Sequence, residues 1–424
     1  MKRLAVAFAA LLCTVLALAA LLLFIALRAL TPASGEWRHV VQIGPWQREL
    51  SVPALIRVAT HPLAASLIDG RGIDTSAGRW QLRARSDGRF EADCAPCSLR
   101  LRALGSAPLT LARAHLQARR AGADRFDGTL WLGEGAHSVA LAWRAHLTAN
   151  GLVLDATLKD APAAELVHVF GHDIPEAQRA QVEGRFSLTL HATLPEGRVQ
   201  VHPLLDGFAV SGLGTERLLD VQLPAACRSG EAEAPIGGWL PRAVVAAEDQ
   251  RFHEHPGYDL TQMLAVWQSN QGEGATLAGA STLTQQLAKL IYTGDDRSAT
   301  RKLRELLYAA EMERTLGKAR ILQLYLALAP WGSGVCGAER AARVYLHKPA
   351  SNLGPVESAW LASLLTSPDA QLRRLAGGEE PDRARIEQII IGMRPMNLAR
   401  REKALAQLTM WSPRSLPPRN LAGP

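Results

Sequence analysis

The hydrophobic pattern of this chain changes period once, and that change limits what the chain can fold into. Upstream of about residue 226, apolar and polar residues mostly alternate, which is the period of a strand with one buried face. Trp80, Leu82 and Ala84 alternate with Gln81 and Arg83, the turn-forming pair Asp87-Gly88 comes next, and Phe90 resumes the alternation, so a hairpin is expected. Residues 109–117, 129–132, 139–147, 152–158 and 184–192 read the same way, with one helical interruption at 161–170. Residues 227–238, Cys-Arg-Ser-Gly-Glu-Ala-Glu-Ala-Pro-Ile-Gly-Gly, read as a linker. Beyond them apolar residues recur at helical spacing almost to the end. A strand-period segment and a helix-period segment cannot share one regular layer, so a chain of 424 residues is expected to form a β-rich unit followed by a mostly helical one.

Ahead of both, residues 4–27 contain no charge and no proline. As a helix they would measure about 36 Å, enough to cross a hydrocarbon core of about 30 Å. A cleavable signal peptide is the rival, although its apolar core is usually about 7–15 residues. Lys2 and Arg3 before the run, with only Arg28 close behind it, favour a cytoplasmic N-terminus. The expected organisation is therefore multi-domain: a cytoplasmic N-terminus and transmembrane anchor over 1–34, a β-rich extracytoplasmic domain over 35–226, a linker over 227–238, and a mostly α-helical domain over 239–424. The strands of the second segment resemble in pattern the β-rich periplasmic domains of the AsmA type, and a spacer or partner-docking role is expected for it.

A net charge of +7 and a pI near 9.4 favour an acidic partner such as anionic lipid or pyrophosphate. No basic stripe with interleaved aromatics is present, so nucleic acid is not expected. The cysteines are Cys13, Cys94, Cys97, Cys227 and Cys336. Cys94 and Cys97 form an isolated CxxC, which fits a local disulfide in an oxidising compartment better than zinc or redox catalysis.

The helical segment carries the chemistry. Glu248, Asp249, Arg251, Phe252, His255 and Gly257 fall close together, and the spacing of Glu248, Arg251, Phe252 and His255 predicts one shared face on a helix stopped by Pro256-Gly257. A solvated helix end would explain an isolated carboxylate equally well, but the residues downstream of Gly257 favour chemistry. Asp259 and Gln262 predict a capped helix through Trp267, and residues 271–279 form a glycine-bearing loop placed to act as a flap. Thr282 and Gln285 predict a second capping box, whose helix N-terminus is suited to anions, with Gln286 and Lys289 further along. Arg301, Lys302 and Glu305 then stand on a polar helix face, where a surface ion pair is the plain alternative.

These elements, in this order, resemble the peptidoglycan glycosyltransferases of glycosyltransferase family 51. The family patterns ED..F..H.G.D, GGST.TQQ..KN and RK..E correspond to residues 248–259, 279–290 and 301–305. Two more, K..ILE.YLN and A..YFGK with its following E.A.LA, correspond to 318–327 and to 343–348 with 357–362. The resemblance spans residues 240–368. The chain departs from it at Ala280, Leu290, Gln323, Ala327, Leu346 and His347, which stand where the family has Gly, Asn, Glu, Asn, Phe and Gly.

The resemblance implies a lysozyme-like helical fold and polymerisation of lipid II into glycan strands by inverting transfer, releasing undecaprenyl pyrophosphate. Glu248 is then the general base, and Glu305, the second catalytic residue, orients one of the nearby cations or a divalent metal near the donor. Asp249, Phe252, His255, Thr282, Gln286, Lys289, Arg301 and Lys302 are expected to bind substrate. A divalent ion, Mg²⁺ or Mn²⁺, is expected at most near Glu305, with no organic cofactor. The implied partners are lipid II, the growing strand, the cytoplasmic membrane, and other cell-wall synthesis proteins reached through the β-rich domain. The implied location is single-pass in the inner membrane with the bulk of the chain periplasmic. No SxxK with a downstream KTG is present, so a transpeptidase is not implied. The alternative is a degenerate family 51 fold acting as an envelope binding or scaffold protein; a lytic transglycosylase has no use for the cations around a pyrophosphate.

Overall fold

The computed structural model describes residues 28–43, 46–61, 68–99, 108–221, 227, 236–269, 281–295 and 298–413. The chain divides into two compact units, residues 1–99, 110–169 and 185–206 in one, and 100–109, 170–184 and 207–424 in the other.

The first unit is built mainly from strands. β1 (Arg38–Ile43) and β2 (Trp46–Ser51) form a hairpin. Ser51 then caps α1 (Val52–Ala59) by accepting the Ala54 N–H at 3.1 Å. The remaining strands include β3 (Gly72–Thr75), β4 (Gly78–Ala84), β5 (Arg89–Cys94), β6 (Cys97–Leu99), β7 (Leu109–Leu111), β8 (Ala114–Arg120), β9 (Arg125–Glu134), β10 (His137–Leu147), β11 (Leu152–Pro162), β12 (Gln181–Leu194) and β13 (Arg198–Ser211). One nine-stranded sheet runs in the order β13-β12-β11-β10-β9-β8-β5-β4-β3, and neighbours from β3 to β12 pair antiparallel. Along β10, Val139, Ala145 and Leu147 are buried while Ala140, Arg144 and His146 are exposed. Register sets Ala145 opposite Phe126 on β9 and Leu147 opposite Leu152 on β11, and these residues pack with Ile56.

The expected hairpin is β4–β5, with Ala84 opposite Phe90. The stretch 109–117 is two strands rather than one, broken at Ala112 and Arg113; the Arg113 guanidinium pairs with Asp93. β13 has no counterpart among the expected strands because Pro203 and Gly207 interrupt its pattern. The structure accommodates it at the edge of the sheet, where a proline costs no central ladder bond. Cys94 and Cys97 form the local disulfide. The expected helical interruption is α2 (Ala163–Phe170), directly after β11.

Among the described residues no helix is long and apolar enough to cross a membrane. The run 4–27, on which the anchor was expected, lies outside the described residues. The fold is therefore corrected to a β-rich unit and an α-helical unit, and the anchored, single-pass inner-membrane arrangement is not carried further.

The second unit is helical. Its helices are α3 (Pro175–Arg179), α4 (Leu240–Glu248), α5 (Leu260–Ser269), α6 (Leu283–Ala288), α7 (Ala299–Thr315), α8 (Gly317–Leu328), α9 (Ala338–Leu346), α10 (Pro355–Ser363), α11 (Pro368–Ala376), α12 (Arg383–Gly392) and α13 (Leu398–Met410). Prolines near the starts of α4, α10 and α11 occupy positions whose N–H would have had no helical partner. Ser298, Asp382 and Asn397 cap α7, α12 and α13 with side-chain oxygens. α10 is the centre: Val356, Trp360 and Leu361 are buried, and α4, α12 and α13 pack against it. Full burial of a side chain such as Leu361 contributes about 1.5–3 kcal/mol. A disulfide between Cys227 and Cys336 closes part of this unit on itself.

Candidate active site

α4 ends at Glu248, not at Pro256. Asp249 adopts φ −161° and ψ 76°, and turns follow in which Phe252 N–H donates to Asp249 and Glu254 N–H to Arg251. Glu248, Arg251, Phe252 and His255 therefore do not share a helical face. The reason is a long-range bond: the buried Asp249 carboxylate accepts the Leu283 N–H at 2.9 Å, which pulls the chain away from the helix axis toward the start of α6. The same carboxylate takes His255 Nε2 at 2.9 Å. His255 Nδ1 accepts the Gly257 N–H at 3.2 Å, so the ring carries its proton on Nε2. Gly257, at φ +89°, lies so close to α7 that a Cβ would stand 2.8 Å from the Ala309 carbonyl oxygen.

Thr282 caps α6 with the expected reciprocal capping box with Gln285, and its hydroxyl donates to the Gly257 carbonyl at 2.7 Å. Phe252 is fully buried, with the Lys318 ammonium 4.4 Å from its ring centre. Lys318 also reaches the His255 carbonyl at 2.6 Å and Glu313 at 2.9 Å. Asp249, Phe252, His255 and Thr282 are thus brought together, but as a buried brace beneath the site.

Glu248 is half-buried at the end of α4. Gln286 Nε2 on α6 donates to its Oε2 at 3.0 Å, and the Tyr325 hydroxyl on α8 donates to Gln286 Oε1 at 2.8 Å. An ionised carboxylate can only accept, so Glu248 faces the amide nitrogen of Gln286, and the amide oxygen is left to take the Tyr325 O–H. Burial pushes the Glu248 carboxyl above its usual range, the Gln286 bond and the charge of Arg385 pull it back, and the charge of Asp249 adds to the rise. Burial likewise holds the Tyr325 hydroxyl well above its ordinary range, with the charge of Glu248 adding to it.

Glu305 on α7 is buried, with 1% of its side chain exposed, and both oxygens are engaged. Arg301 holds Oε1, and Lys302 holds Oε2 at 2.7 Å. Lys302 also donates to the Ser281 hydroxyl, just before α6. Helix α6 therefore connects the two acids: the residue before its cap touches Lys302, one of the cations on Glu305, and Gln286 within it touches Glu248. Lys289 follows α6 on a π-helical turn and pairs with the exposed Asp295 at 2.5 Å. The stretch 271–279, expected to act as a flap, lies outside the described residues.

The expected divalent ion does not fit this donor set. Both Glu305 oxygens already face cations, and among the described residues no cluster of three His, Cys, Asp or Glu could hold a metal. Sequence reasoning missed Tyr325, Ser281 and Arg385. Tyr325 stands inside the fourth motif and Ser281 inside the second, so their positions were visible though their roles were not; Arg385 had no local signal.

Residues 232–393 match the transglycosylase family. The biosynthetic peptidoglycan transglycosylase of Nitrosomonas eutropha is 44% identical over 133 residues, which is 31% of this chain and 54% of that protein. The protein of the same description from Burkholderia multivorans is 44% identical over 129 residues, 30% of this chain and 53% of that one. The chain spans about half the length of the curated relatives it matches, and it carries an additional N-terminal region. The transglycosylase match takes in Glu248, the α6 helix and Glu305.

Two departures from the transglycosylase pattern have local explanations. His347 closes α9 at φ +54°, a conformation that glycine adopts at no steric cost and that other residues enter at about 1 kcal/mol. Gln323 accepts from Arg320 at 2.9 Å, so an uncharged oxygen serves at the position of the family's glutamate.

Proposed function

We propose that the helical unit is a peptidoglycan glycosyltransferase that joins the disaccharide units of lipid II. Glu248 takes the proton from the 4-hydroxyl of the acceptor sugar. The oxygen so activated attacks C1 of the donor from the side opposite the leaving group, the C1–O bond breaks, and the electron pair leaves on the lipid pyrophosphate. A hydroxyl attacks slowly without a positioned base, and a base whose carboxyl is raised by burial binds the transferred proton more strongly than an exposed one. The single observation that carries this reading is the relay from Tyr325 through Gln286 to Glu248, which orients one carboxylate oxygen and leaves the other without a described hydrogen bond.

The leaving pyrophosphate needs cations fixed before its charge develops. Arg301 and Lys302, held by Glu305, supply them in a rigid pair, and Lys289, at the C-terminal end of α6, is the third candidate. Asp249, Phe252, His255 and Thr282 position this machinery through the brace rather than by touching substrate. The β-rich unit is proposed as a docking module for other envelope proteins.

The test is incubation of the full chain with lipid II, the products being resolved by gel electrophoresis. Glycan polymer that disappears in Glu248→Gln supports the proposal. Absence of polymer from both proteins, with lipid II still retained by the unaltered chain, would instead support the scaffold reading; release of glycan from purified sacculi would support a lytic one.

A further inference from the structure

We propose that the cleft beside Trp239 is a second anion site, built for a phosphoryl group and separate from the Glu248–Glu305 centre. The cleft, of about 640 Å³, is lined by Trp239, Arg242, Arg394, Asn397, Arg400 and Arg401 among others, and no carboxylate is among its lining residues. Arg301, Lys302, Arg304 and Lys318 each face a carboxylate. Among the described residues none of the four cleft arginines forms an ion pair. Four like charges gathered without a counter-ion repel one another, and an anion taken up between them removes that cost.

The side chains are also held in place for it. The Arg242 guanidinium lies 4.8 Å and that of Arg400 5.5 Å from the centre of the Trp239 ring, so one indole orders two planar forks. Arg401 Nε is buried with no hydrogen-bond partner among the described residues, while another nitrogen of the same group makes only a 3.4 Å contact to the Met396 carbonyl. Planar, preorganised guanidinium groups favour a multidentate oxyanion, and several of them at once favour the higher charge of a phosphate or pyrophosphate over a single carboxylate. Arg394, Arg400 and Arg401 all lie beyond residue 393, where the transglycosylase match ends, so the site draws on a part of the chain outside that match. The proposal does not depend on the glycosyltransferase reading.

The phosphoryl group can come from a soluble ligand or from a lipid headgroup, and the experiment separates the two. The full chain is titrated calorimetrically with inorganic pyrophosphate, inorganic phosphate and glutarate, and is sedimented with vesicles of phosphatidylglycerol or of phosphatidylcholine. Arg394→Gln/Arg400→Gln replaces two exposed side chains and is expected to keep the parent's thermal midpoint. We expect pyrophosphate to bind more tightly than glutarate, and the double variant to weaken it by about tenfold or more. Lys302→Met, made at the other cation cluster, is expected to leave this binding in place. Retention by phosphatidylglycerol vesicles alone, lost in the double variant, assigns the group to a headgroup; binding of free pyrophosphate without vesicle retention assigns it to a soluble ligand. The proposal is overturned if the double variant binds like the parent, if Lys302→Met abolishes binding instead, if glutarate binds as well as pyrophosphate, or if no phosphoryl probe binds.

Discussion

The two units treat charge in opposite ways. In the β-rich unit no described acid is fully buried: Arg38–Glu49, Arg119–Asp127 and Arg185–Asp160 are exposed pairs, Glu91 and Asp93 are partly covered, and Ser51 is the only polar residue among its buried described ones. In the helical unit Glu176, Asp249, Asp259, Glu305 and Glu311 are buried, each with at least one hydrogen-bond donor on it, although Glu176 Oε2 and Asp259 Oδ2 have none among the described residues. Desolvating a carboxylate is costly unless its lone pairs are filled. A sheet that avoids that cost needs only its apolar face to fold. A domain that accepts it five times over gains fixed dipoles and charges at known positions, which is what a charge-separating reaction requires.

That contrast can be broken or sharpened by measurement. The largest effect is expected at Glu248→Gln, which removes the proposed base and should slow lipid II polymerisation by roughly 10²–10⁴-fold. Next is Glu305→Gln, which leaves Arg301 and Lys302 facing an uncharged amide; unfolding by urea should show a loss of about 3–5 kcal/mol. Gln286→Leu removes the bond that favours the charged form of Glu248, so burial acts with less opposition and the acidic limb of the pH–rate profile should move to higher pH.

A smaller effect concerns stability. Burial raises the folded Glu248 carboxyl above its unfolded value, so the fold favours the protonated form. That contribution is fully present below the unfolded pKa and is lost as pH rises through the folded one. Glu248→Gln cannot ionise and should therefore melt above the parent at pH above the folded pKa and not below the unfolded one. At the bottom of the scale, Arg119→Ala in the sheet should leave the denaturation midpoint unchanged; a clear drop there would contradict the contrast between the units.

How far the sequence reached depended on distance along the chain. The Thr282–Gln285 box and the Asp259 cap on Gln262 are contacts across a few residues, and both are present where spacing predicts them. The helix expected to continue past Glu248 fails because its competitor, the Asp249–Leu283 bond, joins residues 34 apart. Local periodicity contains no term for such a bond. β13 was hidden for a different reason: Pro203 and Gly207 oppose a central strand, and only the sheet order reveals that this one is at the edge. The positions of Glu248 and Glu305 stand out in the sequence, whereas the Tyr325–Gln286 relay needed three helices to be placed together.

The bridge from Cys227 to Cys336 joins positions 109 residues apart, and Glu248, Gln286, Glu305 and Tyr325 all fall between them. The two acids and the Tyr325–Gln286 relay are therefore written on one covalent ring, with Arg385 outside it. Closing a ring of that size withdraws about 4.7 kcal/mol of chain entropy from the unfolded state. A single proteolytic cut within it opens the ring without releasing a fragment, so the two acids stay on one molecule until the bridge is reduced.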